Sequence, residues 1–160
     1  MTIDFTITIG DILSLIGILI AILLAFWQLS ITNKQNRSEI ILGMMDKHIA
    51  DAETLQMLYM LEYGNFSFEP DKFPMSAEEK ILDKLLYSFD QIAKLHELGI
   101  LKKEDLSLIE YDYLRVFTNI EVQKYFKFLD STPNGFAIDT IDFKSYRTLA
   151  KYLLERRGRV

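Results

Sequence analysis

Between Ile12 and Ile31 the chain carries no charged residue. A helix rises about 1.5 Å per residue, so this run covers roughly the 30 Å hydrocarbon core of a bilayer. A cleaved signal peptide would require a basic segment ahead of the apolar run and a small-residue cleavage site. The residues ahead of it instead include Asp4 and Asp11 and no Lys or Arg. A buried core helix is the other rival, but it rarely stays apolar on every face over such a length in a small domain. The run therefore reads as one N-terminal transmembrane helix, with residues 1–31 as its segment and residues 32–160 as a separate domain.

Charge sets the expected orientation. Lys34, Arg37 and Lys47 all follow the span. The positive-inside rule then places the C-terminal domain in the cytoplasm and the N-terminus outside. Phe26, Trp27 and Gln28 fall at the cytoplasmic end, where an aromatic belt belongs. The absence of cysteine agrees with a reducing compartment without establishing one. Gly17, Ala21 and Ala25 recur every fourth residue, extended by Gly10 and Ser14. That spacing makes a helix face on which two backbones approach closely, although Gly and Ala are also common in membrane helices by chance. A homo-oligomer is the expectation that follows from the seam. The span holds no ionisable residue, which argues against a proton relay or a charged filter.

The rest of the 160-residue chain reads as helices, giving an all-α fold class. Ile41, Met44, Met45, Ile49, Leu55, Leu58 and Leu61 fit a helical period from Ser38 to about Leu61, continuous with the span. Gly64, Pro70 and Pro74 break a loop from Tyr63 to Met75, whose Phe66, Phe68 and Phe73 are expected to tuck onto the core. Ser76 and Glu79 form a capping box for a helix from about Ala77 to Leu98. Its inward face is Ile81, Leu82, Leu85, Leu86, Phe89, Ile92, Ala93 and Leu95, with Gly99 and Ile100 as a Schellman ending. A further helix is expected from Lys103 to about Phe117. A second capping box, Thr118-x-x-Glu121, opens another to about Leu129. Thr132 to Gly135 is a turn, residues 135–141 leave room for at most a brief strand pairing, and a final helix runs from about Asp142 to Arg156. No repeat or low-complexity tract interrupts the series, and one domain of roughly 120 residues can bury its own core.

The motifs of common enzymes are missing. There is no P-loop, Gly-rich dinucleotide motif, nucleophile elbow or zincin motif, and cysteine chemistry is impossible. His48 and His96 lack a second ligand at i+3 or i+4, so packing or surface roles are favoured over metal binding. Glu78, Glu79, Glu104 and Asp105 cluster at helix starts, where the helix dipole favours carboxylates. The expectation is a protein that is not an enzyme and needs no cofactor or metal.

Net charge is −5, which disfavours binding to duplex nucleic acid. Basic residues nevertheless concentrate late, at Lys124, Lys127, Lys144, Arg147, Lys151, Arg156, Arg157 and Arg159. Solvated helix faces and a favourable dipole for Arg156 and Arg157 account for them. A sharper reading is an anion pocket built from Arg115, Thr118, Asn119, Lys124 and Arg147. In it the helix opened by Thr118 presents free N–H groups to a phosphate. A symmetric oligomer would repeat these residues around an axis, and Tyr111, Tyr113 and Tyr125 would be available to stack on bases, or would be core.

The stretch Leu82-Asp-Lys-Leu-Leu-Tyr-Ser-Phe-Asp-Gln-Ile-Ala-Lys-Leu-His-Glu-Leu-Gly-Ile-Leu101, placed after a span and a basic juxtamembrane segment, resembles a broad group of small bacterial membrane-anchored helical proteins. The resemblance covers roughly Trp27 to Leu129, and its residues are structural. Some members of that group sit beside phage-defence genes. The layout is also similar to CRISPR-associated membrane effectors that sense cyclic oligoadenylate, by architecture and not by motif. These resemblances imply a non-enzymatic effector of antiviral defence in the bacterial inner membrane. Its cytoplasmic domain would sense an anionic ligand, such as a cyclic nucleotide second messenger, and perturb the membrane. The alternative is a membrane-tethered adaptor that binds a cytoplasmic protein.

Overall fold

The computed structural model describes residues 8–46, 51–131 and 143–158. Among these residues the fold is all-α. Its six helices are α1 (Ile9–Met44), α2 (Ala52–Glu62), α3 (Ala77–Glu97), α4 (Glu110–Thr118), α5 (Ile120–Ser131) and α6 (Lys144–Arg157), with a 3₁₀ turn at Asp105–Leu108. Internal contacts divide the chain into two units, Met1–Glu39 and Ile40–Val160.

The first unit holds the apolar part of α1. This helix is long and apolar enough to cross a membrane, and none of its most apolar stretch is buried within the chain. From Ile9 to Ile31 its Leu and Ile side chains are exposed. Such a surface is stable only in lipid or against another apolar face. Gly17 has nothing within 4 Å of the position a Cβ would occupy, so the small-residue row is uncovered by its own chain.

The second unit is built around α3. Its buried residues Leu82, Leu85, Leu86, Phe89, Ile92 and Ala93 recur at helical spacing, and α2 and α6 pack against it. Both ends of α3 follow the local chemistry of their residues. Ser76 takes the extended N-cap conformation and its Oγ accepts from the Glu79 N–H at 3.0 Å. The Glu79 carboxylate accepts in return from the Met75 N–H. At the other end Gly99 adopts φ +72, a left-handed conformation open to a residue without Cβ. The Ile100 N–H reaches the Leu95 carbonyl at 3.0 Å and the Gly99 N–H reaches His96 at 2.9 Å, which together form a Schellman motif.

Three expected boundaries change. The helix expected from Ser38 to Leu61 is two pieces, because α1 ends at Met44 and α2 begins at Ala52. Asp51 is the N-cap that starts α2. Its Oδ1 accepts from the Glu53 and Thr54 N–H groups, at 3.1 and 3.2 Å, and its Oδ2 from the Thr54 hydroxyl at 2.6 Å. Lys84 of α3 pairs with the same carboxylate at 2.6 Å and holds it well below the usual carboxylate range. The helix expected from Lys103 is a 3₁₀ turn followed by α4, since Ile109 at φ −120 leaves the helical region. The capping box at Thr118 is displaced by one residue. The Thr118 hydroxyl donates backwards to the Leu114 carbonyl at 2.9 Å. Asn119 caps α5 instead, its Oδ1 accepting from the Glu121 and Val122 N–H groups at 2.9 and 3.3 Å. His48, the turn at residues 132–135, the stretch 135–141 and Asp142 lie outside the described residues.

Aromatic side chains fill the core between α3, α4, α5 and α6. Phe89, Tyr113 and Tyr146 meet at ring separations of 5.0, 5.4 and 4.5 Å. The Tyr146 hydroxyl donates to the Tyr113 carbonyl at 2.8 Å and the Tyr113 hydroxyl to the Tyr146 carbonyl at 3.5 Å. Burial pushes both phenols above their ordinary range. Asp90 is buried beside them. It accepts from the Tyr146 N–H at 2.9 Å, so a side chain of α3 satisfies a first-turn N–H of α6, and it pairs with Lys94 at 2.8 Å. The loop phenylalanines tuck in as expected. Phe68 and Phe73 lie 5.5 and 5.2 Å from the Tyr125 ring, and Phe66 lies 5.6 Å from Phe73.

Candidate functional site

The five residues expected to hold an anion divide into three separate settings. Arg115 and Asn119 converge on the C-terminal end of α2. Arg115 Nη2 donates to the Leu58 carbonyl at 2.9 Å and Asn119 Nδ2 to the Leu61 carbonyl at 3.0 Å. The Leu61 carbonyl belongs to the last turn of α2, where backbone acceptors lack helical partners, and both carbonyls lie near the helix end whose dipole favours a cation. Arg115 Nη1 also pairs with the Glu62 carboxylate at 2.9 Å and lies 3.9 Å from Asp112. The guanidinium sits 5.4 Å from the Tyr111 ring centroid. Its Nε is buried with no acceptor.

Lys124 forms the second setting. It is paired at 2.7 Å with Glu121, one turn earlier on α5. The Glu121 carboxylate also accepts from the Phe68 N–H at 2.9 Å, and Lys124 with this bond holds it below the usual range. Arg147 forms the third. It grips Asp130 with two bonds of 2.8 and 2.7 Å and lies 5.1 Å from the Phe126 ring centroid. Asp130 stands at the opposite end of α5 from Asn119, about 16 Å along a helix of this rise. Within one chain, Arg115, Thr118 and Asn119 are together while Arg147 is distant. Tyr113 and Tyr125 are core residues, and of the three tyrosines offered for base stacking only Tyr111 is exposed.

Two groupings escaped the sequence reading. One is a carboxylate pair on α3 facing α5. The Tyr125 hydroxyl donates to Asp83 at 2.8 Å and stands 3.5 Å from Glu79. Burial, opposed by the Tyr125 hydrogen bond, pushes Asp83 up to about 6, and Glu79 adds to the rise. The i, i+4 spacing of Glu79 and Asp83 was the available signal.

The other is a surface. Leu55, Tyr59 and Tyr63 recur every fourth residue along the outer side of α2, exposed by 40, 51 and 71%. The rings of Tyr59 and Tyr63 stack at 6.3 Å. Through Arg115, Tyr111 of α4 joins the same end of α2, and it is 61% exposed. Large aromatic side chains left in water at helical spacing, beside an Arg, have the composition of interface anchors. His96 is accounted for by Nδ1, which lies 2.9 Å from the Leu101 carbonyl. Among the described residues no group of His, Asp or Glu side chains is arranged to hold a metal ion.

No protein-family model, curated protein or solved structure matches this chain. The class its fold defines is a helical domain joined to one helix capable of spanning a membrane.

Proposed function

We propose that this protein is a non-enzymatic docking module tethered to the cytoplasmic face of a bacterial inner membrane by α1. The observation that carries the reading is the exposed row Leu55, Tyr59, Tyr63 with Tyr111 and Arg115 beside it. Tyrosine brings large area at low entropic cost, and an Arg ordered by Glu62 and a helix terminus needs little further ordering on binding. Lys34 and Arg37, after the span, support the cytoplasmic placement. A photo-crosslinking amino acid at Tyr59 in living cells tests the reading. A discrete adduct, lost when Tyr63 and Tyr111 are both changed to Ala, is expected. No adduct from Tyr59, with full yield of folded protein, would end it. A reporter fused at Val160 should be active only in its cytoplasmic form.

The second reading is a ligand-gated effector of antiviral defence that answers to an anionic cyclic oligonucleotide. The buried, unpartnered Arg115 Nε–H favours it, because a donor without an acceptor awaits either rearrangement or a ligand. Calorimetry of the full chain in detergent against cyclic oligoadenylates tests it. Binding abolished by Lys124→Ala, which leaves the Arg115 and Asn119 bonds to α2 intact, supports this reading, and no heat with any cyclic oligonucleotide rejects it.

A further inference from the structure

We infer that the partner of the tyrosine face is a second copy of this chain, presenting the basic outer side of α6. The inference rests on the docking reading and supplies its partner.

Charge is distributed unequally over the helices of the second unit. The helix α2 contains Glu53 and Glu62 and no basic residue, and α4 contains Glu110, Asp112 and Arg115, with Glu62 paired to Arg115 and Glu110 lying 3.8 Å from Arg157 of the same chain. The helix α6 contains Lys144, Arg147, Lys151, Arg156 and Arg157 against a single acid, Glu155. Lys151, Tyr152 and Arg156 are exposed on it. Tyr152 adds an aromatic ring, with Lys103 Nζ 3.2 Å from its hydroxyl and 5.4 Å from the ring centroid. One face is therefore acidic and rich in tyrosine, and the other is basic with a tyrosine of its own.

The two faces are also separated in space. Helices α3 and α4 each pack against both α2 and α6, while α2 and α6 share no comparable contact, which sets them diagonally across the unit. A copy cannot bring its own α6 onto its own α2 without unfolding. A symmetric two-fold contact through the tyrosine face would oppose two α2 helices that carry no basic residue, and Glu53 adds repulsion while Glu62 is already paired with Arg115. Placing α6 of one copy on α2 and α4 of the next opposes unlike charges. That contact is head-to-tail, so a pair of copies keeps one open face of each kind and the assembly grows into a ring or a row. Tethering by α1 would confine the copies to one plane and raise their effective concentration.

Complementation between two variants of the full chain in detergent micelles decides the matter, read by light-scattering mass. One variant is Tyr59→Ala with Tyr63→Ala. The other is Lys151→Glu with Arg156→Glu. All four side chains are exposed, so both variants should keep the wild-type helical signal and melting profile. Wild type is expected as a multimer that loosens with added salt. Each variant alone should run as a monomer, with its self-association weakened about 30-fold or more. An equal mixture should give dimers and nothing larger, because each dimer joins the two intact faces and exposes the two damaged ones. A monomeric wild type, an unchanged multimer in both variants, or no recovery on mixing would each overturn the proposal. So would loss of binding to anionic phosphatidylglycerol vesicles by the α6 variant with mass unchanged, which would assign α6 to lipid. A Tyr59 crosslink to a protein other than this chain, with wild type monomeric, would overturn the second-copy partner and leave the docking reading standing.

Discussion

Ser76 and Thr118 occupy the same four-residue pattern, Ser76-x-x-Glu79 and Thr118-x-x-Glu121, yet only one of them caps a helix. Ser76 follows an irregular loop and is free to adopt φ −73, ψ 167, the extended conformation an N-cap requires. Thr118 is the last residue of α4 and remains helical. The residue that separates α4 from α5 is Asn119, at φ −63, ψ 129, and the cap falls on it. The freed Thr118 hydroxyl turns back to Leu114, as Ser and Thr do inside helices. The freed Glu121 carboxylate holds the loop at Phe68. A capping box thus depends as much on what precedes it as on its own residues.

The most severe test of this contrast is Asn119→Ala. It removes the α5 cap and the donor to the Leu61 carbonyl, so a loss of about 2–3 kcal/mol is expected in urea unfolding of the full chain in micelles. Ser76→Ala loses a cap at a free loop and should cost about 1 kcal/mol by the same measurement. The two helix starts should also separate by pH. Asp83, one turn into α3 from Glu79, binds its proton more tightly folded than unfolded, since burial raises it to about 6. Its contribution is full below about pH 4 and is lost as pH rises through 6. Melting temperature should fall over that interval, and Asp83→Asn should flatten the fall. Glu121, at the start of α5, is shifted the other way by Lys124, so its contribution is present at neutral pH and disappears only in acid. The smallest effect belongs to Thr118→Ala, at most about 0.5 kcal/mol. A Thr118 loss equal to that of Asn119 would erase the contrast.

Much of the fold was legible because it is written locally. The charge-free run at Ile12–Ile31, the face from Leu82 to Ala93, and the Ser76 and Gly99 boundaries each depend on neighbours within one or two turns. The break between α1 and α2 was hidden because apolar residues keep helical spacing from Ile41 through Leu61 and a single glycine, Gly43, with no Pro beside it, is all that stands near the stop. Asp51 marks the restart, and its pairing with Lys84 comes from a distant part of the chain. The candidate site was less legible for the same reason. Arg115 and Asn119 find their partners at Leu58 and Leu61, on a different helix, and Arg147 of α6 finds Asp130 of α5. Burial of Tyr113 follows from its helical spacing with Ile109 and Phe117, whereas exposure of Tyr59 and Tyr63 and burial of Tyr125 have no such counterpart in local pattern.

The bond from Asp90 to the Tyr146 N–H joins residues that are far apart in translation order. Domains fold as units as the chain leaves the ribosome. Until α6 has emerged, the side of α3 that it covers stays wet, and Asp90 is without its backbone partner. A nascent chain halted before Phe143 would leave Phe89 without the Tyr146 ring that stacks on it. An interrupted copy would therefore differ from a finished one by a single patch on α3.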